Sequence, residues 1–401
     1  MTILVIAPFY PMSDRAAGEL RFFILLKLLA AKYDVTFYPY RLEEQRELYG
    51  PVETQRYADA LSQLGVRLWG GDLAGIVKSE RFDVVLFEFY IAAERHLENV
   101  KAWQPKAYTI VDSVDVHFKR LQSKASLTGD ASDVQIASEM KIAEMAVYRN
   151  ADLVWAATDS DREALLNEEP NLQIGVIPTI HSLPSDASGG KVSRDRHQLV
   201  FIGSFAHEPN VDAIVYFCRE IFPAIRNSVP NAKLKIVGNA PSNEIARLAS
   251  DAIEVTGYVP DTTPFLESSA ISVAPLRFGA GMKGKIGEAM CHGLPVVTTS
   301  VGVDGFGLTP GENVLVADSA EEFAAAVVRL MRDPALAQRL GASGRRFIDA
   351  NYSQAAVAKN LYFCFDTLKA NPVKKLPVHV LLKIRSADYL RRHLLWRFQR
   401  A

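Results

Sequence analysis

Residues 275–299 read PLRFGAGMKGKIGEAMCHGLPVVTT, a glycine- and lysine-rich stretch followed by an apolar run. The stretch follows a predicted strand at Ile271–Ala274, opens a predicted helix near residues 284–292 and ends in a second predicted strand at Val296–Thr298. Continuous apolar strands that alternate with helices are typical of a parallel sheet covered on both faces. The stretch therefore predicts a strand–loop–helix–strand unit whose loop lies at the carboxyl end of a strand.

The same alternation runs through the whole chain. In the first half, the predicted strands are Ile3–Ala7, Val35–Tyr38, Val66–Trp69, Val84–Phe87, Tyr108–Val111, Leu153–Ala156 and Ile174–Ile177. In the second half, further strands are predicted at Leu199–Ile202, Leu234–Val237 and Ile253–Thr256, with helices near 211–226, 243–250, 320–332 and 334–349. This pattern predicts an α/β protein with two doubly wound, Rossmann-like domains that face a central cleft.

A polar interruption divides the two predicted domains. Residues 178–198 are rich in proline, serine and glycine and lack a periodic apolar pattern, as is typical of a linker. We therefore predict five segments, namely an N-terminal acceptor-side domain at 1–178, a linker at 179–198, a C-terminal nucleotide-sugar-binding domain at 199–352, a helix at 353–370 and a basic tail at 371–401.

The charge of the chain is unevenly distributed. Of 45 basic and 46 acidic residues, eight basic residues but only one acidic residue lie in 371–401, so the tail carries +7 and the rest of the chain −8. The negative body argues against a nucleic-acid partner. Three widely spaced cysteines form no disulfide or metal-binding pattern, and no apolar run reaches the roughly 18 residues that span a bilayer. We expect a cytoplasmic protein without a metal.

The loop of residues 275–299 is a candidate anion site. Its glycines let backbone N–H groups approach a phosphate, the following helix N-terminus adds partial positive charge, and Lys283 and Lys285 add full charges. A solvated, glycine-rich turn is the alternative. Glu288 lies among apolar helix residues, where its carboxylate could accept bonds from two sugar hydroxyls, although an exposed helix glutamate is the commoner outcome.

A second candidate loop follows the predicted strand Tyr108–Val111. Aspartate, histidine and basic residues at the carboxyl end of a strand are typical of catalytic loops, and this loop contains His117. The alternative is that His117 satisfies backbone groups. We expect Cys291 to be a core residue and the four tryptophans to be packing residues that form no stacking platform.

Five motifs in the second half resemble the family 4 glycosyltransferases of the GT-B fold. They are EAMCHGLPVVTT at 288–299, VFIGS at 200–204 followed by Pro209-Asn210, IVG at 236–238 and VTGYV at 255–259, in the order and at the intervals of that family. The first half is similar more loosely, through Ala7-Pro8, the loop to Gly18, Ala151-Asp152 and Thr158–Asp161.

The resemblance implies a transferase that uses a nucleotide-sugar donor as substrate, needs no cofactor and retains the anomeric configuration. It assigns Glu288 to the donor ribose, Gly203 and Ser204 to the donor phosphates, and His117 to the donor sugar. The first glutamate of the family's Glu-x7-Glu motif, which usually holds hydroxyls of the donor sugar, is replaced here by Ala280. The neighbouring backbone amides of Gly281 and Met282 could bind the donor instead. Family members often have basic residues shortly after the position of Ser204, and we expect Lys283 and Lys285 to supply that charge here. In the first loop, we expect the backbone at Gly18 to approach the donor phosphate. Arg21, one helical turn further on, either faces the cleft or is exposed.

Three functions fit this resemblance. The leading one is glycosyl transfer to a glycan or glycolipid in surface polysaccharide assembly. The alternatives are a non-catalytic sugar-nucleotide-binding subunit and a sugar-nucleotide epimerase on the same fold. The resemblance also implies that the helix at 353–370 crosses back to the first domain. Beyond it, basic residues interleave with Leu390, Leu394, Trp396 and Phe398, which predicts an amphipathic segment on the inner face of an anionic membrane. The alternative is a tail packed on the acidic body.

Overall fold

The computed structural model describes residues 1–184, 194–368 and 371–386, which form two open parallel sheets covered by helices. The first sheet has the order β3-β2-β1-β4-β5-β6-β7. Its strands are β1 (Thr2–Ala7), β2 (Asp34–Pro39), β3 (Arg67–Leu68), β4 (Val84–Glu88), β5 (Tyr108–Asp112), β6 (Leu153–Ala156) and β7 (Ile174–Val176). The helices of this domain are α1 (Ala17–Ala30), α2 (Leu42–Tyr49), α3 (Pro51–Gln63), α4 (Leu73–Ser79), α5 (Phe89–Trp103), α6 (His117–Thr128), α7 (Ala131–Asn150) and α8 (Asp159–Glu168).

The second sheet has the order β10-β9-β8-β11-β12-β13. Its strands are β8 (Asp195–Ile202), β9 (Lys233–Val237), β10 (Ile253–Gly257), β11 (Ser269–Ala274), β12 (Val296–Thr298) and β13 (Leu315–Val316). Its helices are α9 (Glu208–Tyr216), α10 (Phe222–Ser228), α11 (Asn243–Ala246), α12 (Thr263–Ser268), α13 (Gly284–Cys291), α14 (Ser300–Val303), α15 (Ala320–Arg332) and α16 (Pro334–Tyr352). The predicted fold, two doubly wound domains, is thereby confirmed.

The strand orders fix where a ligand can bind. In each sheet the chain starts at a central strand, winds to one edge and then returns to the other side of that strand, so the order reverses between β1 and β4 and between β8 and β11. Ligands of open parallel sheets bind in the crevice at this reversal, beyond the carboxyl ends of the strands. The loops after β8 and β11, which contain Gly203 and residues 275–283, both open into such a crevice.

Four predicted elements differ from the observed ones. Strand β8 begins at Asp195, inside the predicted linker 179–198, and the helix predicted near 243–250 ends at Ala246. The helix predicted near 211–226 is interrupted by a π-helical turn at Phe217–Ile221, which ends two residues before Pro223. Proline lacks the N–H that an α-helical bond requires, which accounts for the widened turn. The strand predicted at Val66–Trp69 is reduced to Arg67–Leu68, because Gly70 and Gly71 turn the chain away after Trp69.

The chain crosses between the domains a second time after α16. Helix α17 (Gln354–Leu368) buries Val357, Leu361 and Phe365 in the core of the N-terminal domain, where the Phe365 ring meets Trp155 at 5.7 Å. The crossing lies beside the first one, since His181 N donates to Tyr352 O at 2.8 Å. Both connections therefore run side by side at one end of the cleft.

The described part of the basic tail is fixed at one end and exposed at the other. Lys101 Nζ donates to Lys374 O at 2.8 Å and the buried Asp152 accepts from Lys374 N at 2.5 Å. Residues 378–386 then form a helix whose Val378 and Leu382 are exposed. The predicted apolar positions Leu390, Leu394, Trp396 and Phe398 lie outside the described residues. None of the helices within 1–184, 194–368 and 371–386 is both long and apolar enough to cross a bilayer.

Candidate functional site

The N-termini of α1 and α13 meet across the cleft. A Cβ atom on Gly284 would lie 2.3 Å from the Cβ of Ala17, so only glycine permits this approach. Gly18, in the same turn of α1, has ordinary space around it, with Val114 at 3.7 Å from the position of an added Cβ. The first-loop glycine that the sequence emphasised is therefore not sterically required, whereas Gly284 is.

Lys283 is a buried ammonium group without a direct partner. Its residue is 8% exposed, and its Nζ has no hydrogen-bond acceptor among the described residues. Desolvation lowers the pKa of Lys283 to about 8, against the opposing influence of Asp304 and Asp161. An unpartnered buried cation is costly, because it has lost its hydration and gained no acceptor in exchange. An anion entering beside Lys283 would remove that cost.

Lys285 contacts the segment that follows β8. Its Nζ donates a hydrogen bond to Asn210 Oδ1 and lies 5.1 Å from the centre of the Phe201 ring. Desolvation lowers the pKa of Lys285 to about 7, and the positive charge of Lys283 lowers it further. The two lysines therefore repel each other inside one crevice.

Asn210 connects Lys285 to the predicted phosphate loop. Its Nδ2 donates to Ser204 O at 2.7 Å, while its Oδ1 accepts from Lys285. Gly203 N donates to Val237 O at 3.0 Å, and a Cβ on Gly238 would lie only 1.8 Å from Gly203 O. The structure thus brings Gly203, Ser204 and Lys285 together, as the sequence predicted.

Glu288 is half-buried in α13, so the exposed alternative is wrong. Its Oε1 accepts a hydrogen bond from the Thr262 hydroxyl, which lies in the loop after β10. Desolvation raises the pKa of Glu288, while the bond from Thr262 acts in the opposite direction. The free carboxylate oxygen remains available to a hydroxyl donor at this end of the crevice.

The loop before α13 presses against the loop of His117. Gly281 has a φ of 66°, and an added Cβ would lie 3.0 Å from the Cβ of Asp115. Gly281 is buried, and the neighbouring Met282 packs on the apolar cluster that contains Ile286. Residue 281 consequently lies at the seam between the two domains.

His117 is held from one side by carboxylates. It is the first residue of α6, and its backbone N–H donates to Glu144 Oε1 at 3.1 Å. Its ring Nδ1 lies 3.1 Å from the same Glu144 oxygen and 3.5 Å from Asp115 Oδ1. The carboxylates fix Nδ1 as a donor and leave Nε2 as the ring atom directed away from them. The ring is therefore positioned by carboxylates and does not serve to satisfy backbone groups.

Arg21 neither lines the cleft nor reaches solvent, which corrects both predictions for it. The residue is 1% exposed and forks onto Asp112, with distances of 2.6 Å to Oδ2 and 3.1 Å to Oδ1. It also donates to the carbonyl oxygens of Ile177 and Pro178. Arg21 consequently ties α1 to β5 and to the start of the interdomain crossing.

Sequence reasoning missed three residues around this site. Lys119 Nζ donates to Asp161 Oδ1 at 2.9 Å in its own domain and to Asp304 Oδ2 at 3.1 Å in the other, so it bridges the cleft. Glu88, at the carboxyl end of β4, is buried, and desolvation raises its pKa well above the ordinary value. Two signals were available in the sequence, the Thr158–Asp161 motif for Asp161 and the basic residues of the His117 loop for Lys119.

Backbone strain marks the same region. Phe89 and Val114 have φ values of 63° and 58°, which side chains other than glycine rarely adopt. Phe89 directly follows β4, and Val114 is the second residue after β5, both at the carboxyl edge of the sheet. Such strain is concentrated at functional sites, where the surrounding structure enforces it. Within the described residues, no group of three or more histidine, cysteine, aspartate or glutamate side chains could hold a metal ion.

Comparisons with known proteins concern the family and the fold. Residues 196–333 match the family model described as glycosyl transferases group 1. An uncharacterized 44.6 kDa protein in the cps region of Klebsiella pneumoniae is 25% identical over 195 residues, which are 46% of this chain and 49% of that protein. The chain thus matches about half the length of this curated relative.

Solved structures share the two-domain architecture. Sucrose-phosphate synthase from Thermosynechococcus elongatus superposes with a TM-score of 0.66 at 16% identity, covering 92% of this chain and 100% of that one. Anabaena HepE in complex with UDP-glucose superposes with a TM-score of 0.65 at 14% sequence identity, with the same coverage of both chains. TarM superposes with a TM-score of 0.58 at 15% sequence identity, covering 71% of this chain and 54% of the TarM chain. At these identities the likeness establishes the fold, which is GT-B.

Proposed function

We propose that this chain transfers a sugar from a nucleotide-sugar donor to a glycan or glycolipid acceptor, retaining the anomeric configuration, because residues 196–333 match the family model described as glycosyl transferases group 1 and the fold is GT-B. The observation that carries the proposal is the pair Lys283 and Lys285. Among the described residues neither ammonium group pairs with a carboxylate, and Lys285 bonds to Asn210 beside the Gly203 loop. A diphosphate is the ligand that such a crevice accommodates.

The lysines act on the leaving group. As the bond between the anomeric carbon and the donor phosphate breaks, negative charge grows on the phosphate oxygen and positive charge on the sugar. Lys283 and Lys285, together with the amides of Gly281 and Met282, stabilise the phosphate where this charge develops. The acceptor hydroxyl attacks the same face of the sugar, and its proton passes to the departing phosphate. No enzyme nucleophile is required.

His117 and Glu288 serve binding and orientation at opposite ends of the donor. Glu288 accepts from hydroxyls of the donor ribose, and its second oxygen stays anchored to Thr262. His117 presents Nε2 to the donor sugar, because Glu144 holds Nδ1. Domain contacts through Lys119 and Asp304 exclude water from the reacting atoms.

Similarity to a protein of the cps region supports a role in surface polysaccharide assembly, and the exposed basic helix 378–386 supports work at an anionic membrane from the cytoplasmic side. Solved structures of HepE and TarM contain UDP-glucose and UDP, respectively, so uridine diphosphate sugars are the donors to test first. The acceptor is then expected to be lipid-linked.

The test is a screen of radiolabelled nucleotide sugars, with purified protein and lipid-linked glycans as acceptors. Transfer by the wild-type chain is expected, with Glu288→Gln raising the donor KM and His117→Ala lowering kcat. Lys285→Met is expected to lower both donor affinity and turnover, whereas Lys359→Met, at an exposed position of α17, serves as the charge-matched control. Wild-type activity in all three site variants would contradict the assignment of this crevice.

A second candidate function rests on Ala280, which stands where the family has a glutamate. A sugar-nucleotide-binding subunit without activity would bind the donor but neither transfer nor hydrolyse it. Donor binding measured by calorimetry, next to turnover on the same preparation, separates the two functions. Replacing Ala280 by glutamate is expected to change donor preference in an enzyme and to leave a binding subunit inactive.

A further inference from the structure

We propose that an aromatic pocket at the edge of the N-terminal sheet is a subsite for an acidic sugar of the acceptor, an inference that rests on the glycosyl transfer proposed above. The pocket has a volume of about 560 Å³, and its lining includes Tyr38, Tyr40, Trp69, Arg41 and Arg95 as well as the acidic residues Glu43 and Glu44. This volume falls in the range of small-molecule sites, which combine aromatic walls with a few polar groups.

The position of the pocket connects it to the cleft. Tyr38 and Tyr40 stand at the carboxyl end of β2, and Trp69 follows β3, so the pocket opens at the same sheet edge as His117. Helix α5 joins the two places. Its first two residues are Phe89 and Tyr90, whose ring centres lie 6.2 and 5.1 Å from the centre of the His117 ring. Further along the helix, Ile91 and Arg95 line the pocket.

Trp69 is held in a fixed orientation. Its Nε1 donates to Asp72 O at 2.9 Å, and the indole lies so close to Gly71 that an added Cβ would be 3.0 Å from two ring carbons. A bulkier residue at 71 would displace the ring. Trp69 packs against the hydrophobic core, as the sequence predicted, and part of its surface also lines the pocket. A fixed, partly exposed aromatic face is what the apolar C–H face of a sugar ring stacks upon.

Arg95 is left without an ion pair among the described residues, because Glu44 and Glu43 on the pocket wall pair with Arg41 and Arg46. Its guanidinium lies 5.5 Å from the centre of the Tyr40 ring, and it forms no ion pair with the described residues. Arg41, by contrast, is paired with Glu44 through two bonds of 2.6 Å. His96 packs edge-on against Tyr40 at 4.9 Å and fixes that ring. An exposed arginine over an ordered aromatic ring is suited to a carboxylate or phosphate substituent.

The pocket lies at the same sheet edge as His117 and combines the aromatic face of Trp69 with the guanidinium of Arg95. These features point to a monosaccharide unit that carries an acidic group and lies one or more units away from the acceptor hydroxyl. A neutral sugar would use only the aromatic face. A nucleotide base would also stack on Trp69, but the lysine crevice for its phosphates lies in the other domain.

The test uses trigalacturonate as the acidic probe, maltotriose as the neutral probe and UDP as the nucleotide probe. The Trp69 indole N–H resonance, identified by its loss in Trp69→Phe, is followed in the full-length protein during titration. We expect trigalacturonate to shift it and UDP to leave it in place. Arg95→Gln should weaken trigalacturonate binding at least fivefold. Lys32→Gln, which removes an exposed cation stacked on Tyr362 at 4.3 Å, should have no effect.

The outcomes separate this inference from the proposed function. The acceptor subsite is refuted if neither trigalacturonate nor maltotriose shifts the Trp69 resonance. It is also refuted if UDP shifts this resonance as strongly as trigalacturonate does. Both conclusions hold whether or not the protein turns over a donor. If the wild-type chain turns over no donor, glycosyl transfer is refuted instead. With an acceptor in hand, Trp69→Ala should raise the acceptor KM and spare the donor KM, and Trp69→Phe should restore most of the affinity.

Discussion

The methyl group of Ala17 occupies the space beside Gly284 that any larger side chain would need, with 2.3 Å between the Ala17 Cβ and an added Cβ. This pair joins the first turn of α1 to the first turn of α13, and therefore one domain to the other. Two atoms cannot approach so closely without moving the helices apart. The fit of the two domains consequently depends on the absence of one carbon atom.

The first prediction concerns this contact. Gly284→Ala should separate the helix N-termini and lower kcat/KM at least about tenfold, because the donor loop and the His117 loop no longer close together. Adding Ala17→Gly removes the opposing carbon and should restore most of the activity, and Ala17→Gly alone is the control. Equal losses in the single and double variants would show that Gly284 acts through something other than this contact.

The second prediction concerns pH. Burial lowers the pKa of Lys285 to about 7 and that of Lys283 to about 8, and only the ammonium forms attract phosphate. A bound phosphate raises both values again, so binding takes up protons between pH 7 and pH 9. Affinity for pyrophosphate should therefore fall as pH rises, by up to about tenfold per pH unit for each proton taken up.

Calorimetry in buffers of different ionisation enthalpy measures that proton uptake. Lys285→Arg is the matched variant, because a guanidinium stays charged throughout this range and should flatten the pH dependence. Pyrophosphate binding that is constant from pH 7 to pH 9 in the wild-type protein would contradict the lowered lysine pKa values.

The third prediction concerns stability. Replacing Arg21 with methionine leaves the buried carboxylate of Asp112 without its partner, and loss of one member of a buried pair costs about 3–5 kcal/mol of unfolding free energy. Urea unfolding measures the change. Arg46→Met, which removes an exposed partner of Glu43, should cost less than about 1 kcal/mol. If the two variants lose similar amounts of unfolding free energy, burial does not make the Arg21–Asp112 pair more important for stability than an exposed pair.

The fourth prediction concerns the basic tail. Truncation after Leu376 keeps Lys374 in contact with Asp152 and Lys101 and removes only the exposed helix and the residues C-terminal to it. Sedimentation with phosphatidylglycerol vesicles should drop, while pyrophosphate binding stays constant. Lys383→Gln with Arg385→Gln should weaken vesicle binding roughly tenfold or more, at about 1 kcal/mol per charge. Binding that survives both changes would locate membrane contact elsewhere.

Local pattern was sufficient for the architecture. Five of the six strands of the second sheet contain a short apolar run between helical segments that the sequence pattern identified, whereas the two-residue strand β13 was not predicted. The same holds for the lysines of residues 283–285 and for Glu288, because a strand followed by glycines and a helix places its loop at a sheet edge. Their roles in donor binding remain proposals.

The tertiary structure decided the partners of charged and aromatic residues. Arg21 and Asp112 are 91 positions apart, and Lys119 and Asp304 are 185 apart, so no local pattern connects them. Trp69 and Arg95 meet in one pocket only because β2, β3 and α5 end at the same edge. Periodicity reports which face of an element is apolar, whereas the choice of a partner across the fold depends on how those faces pack.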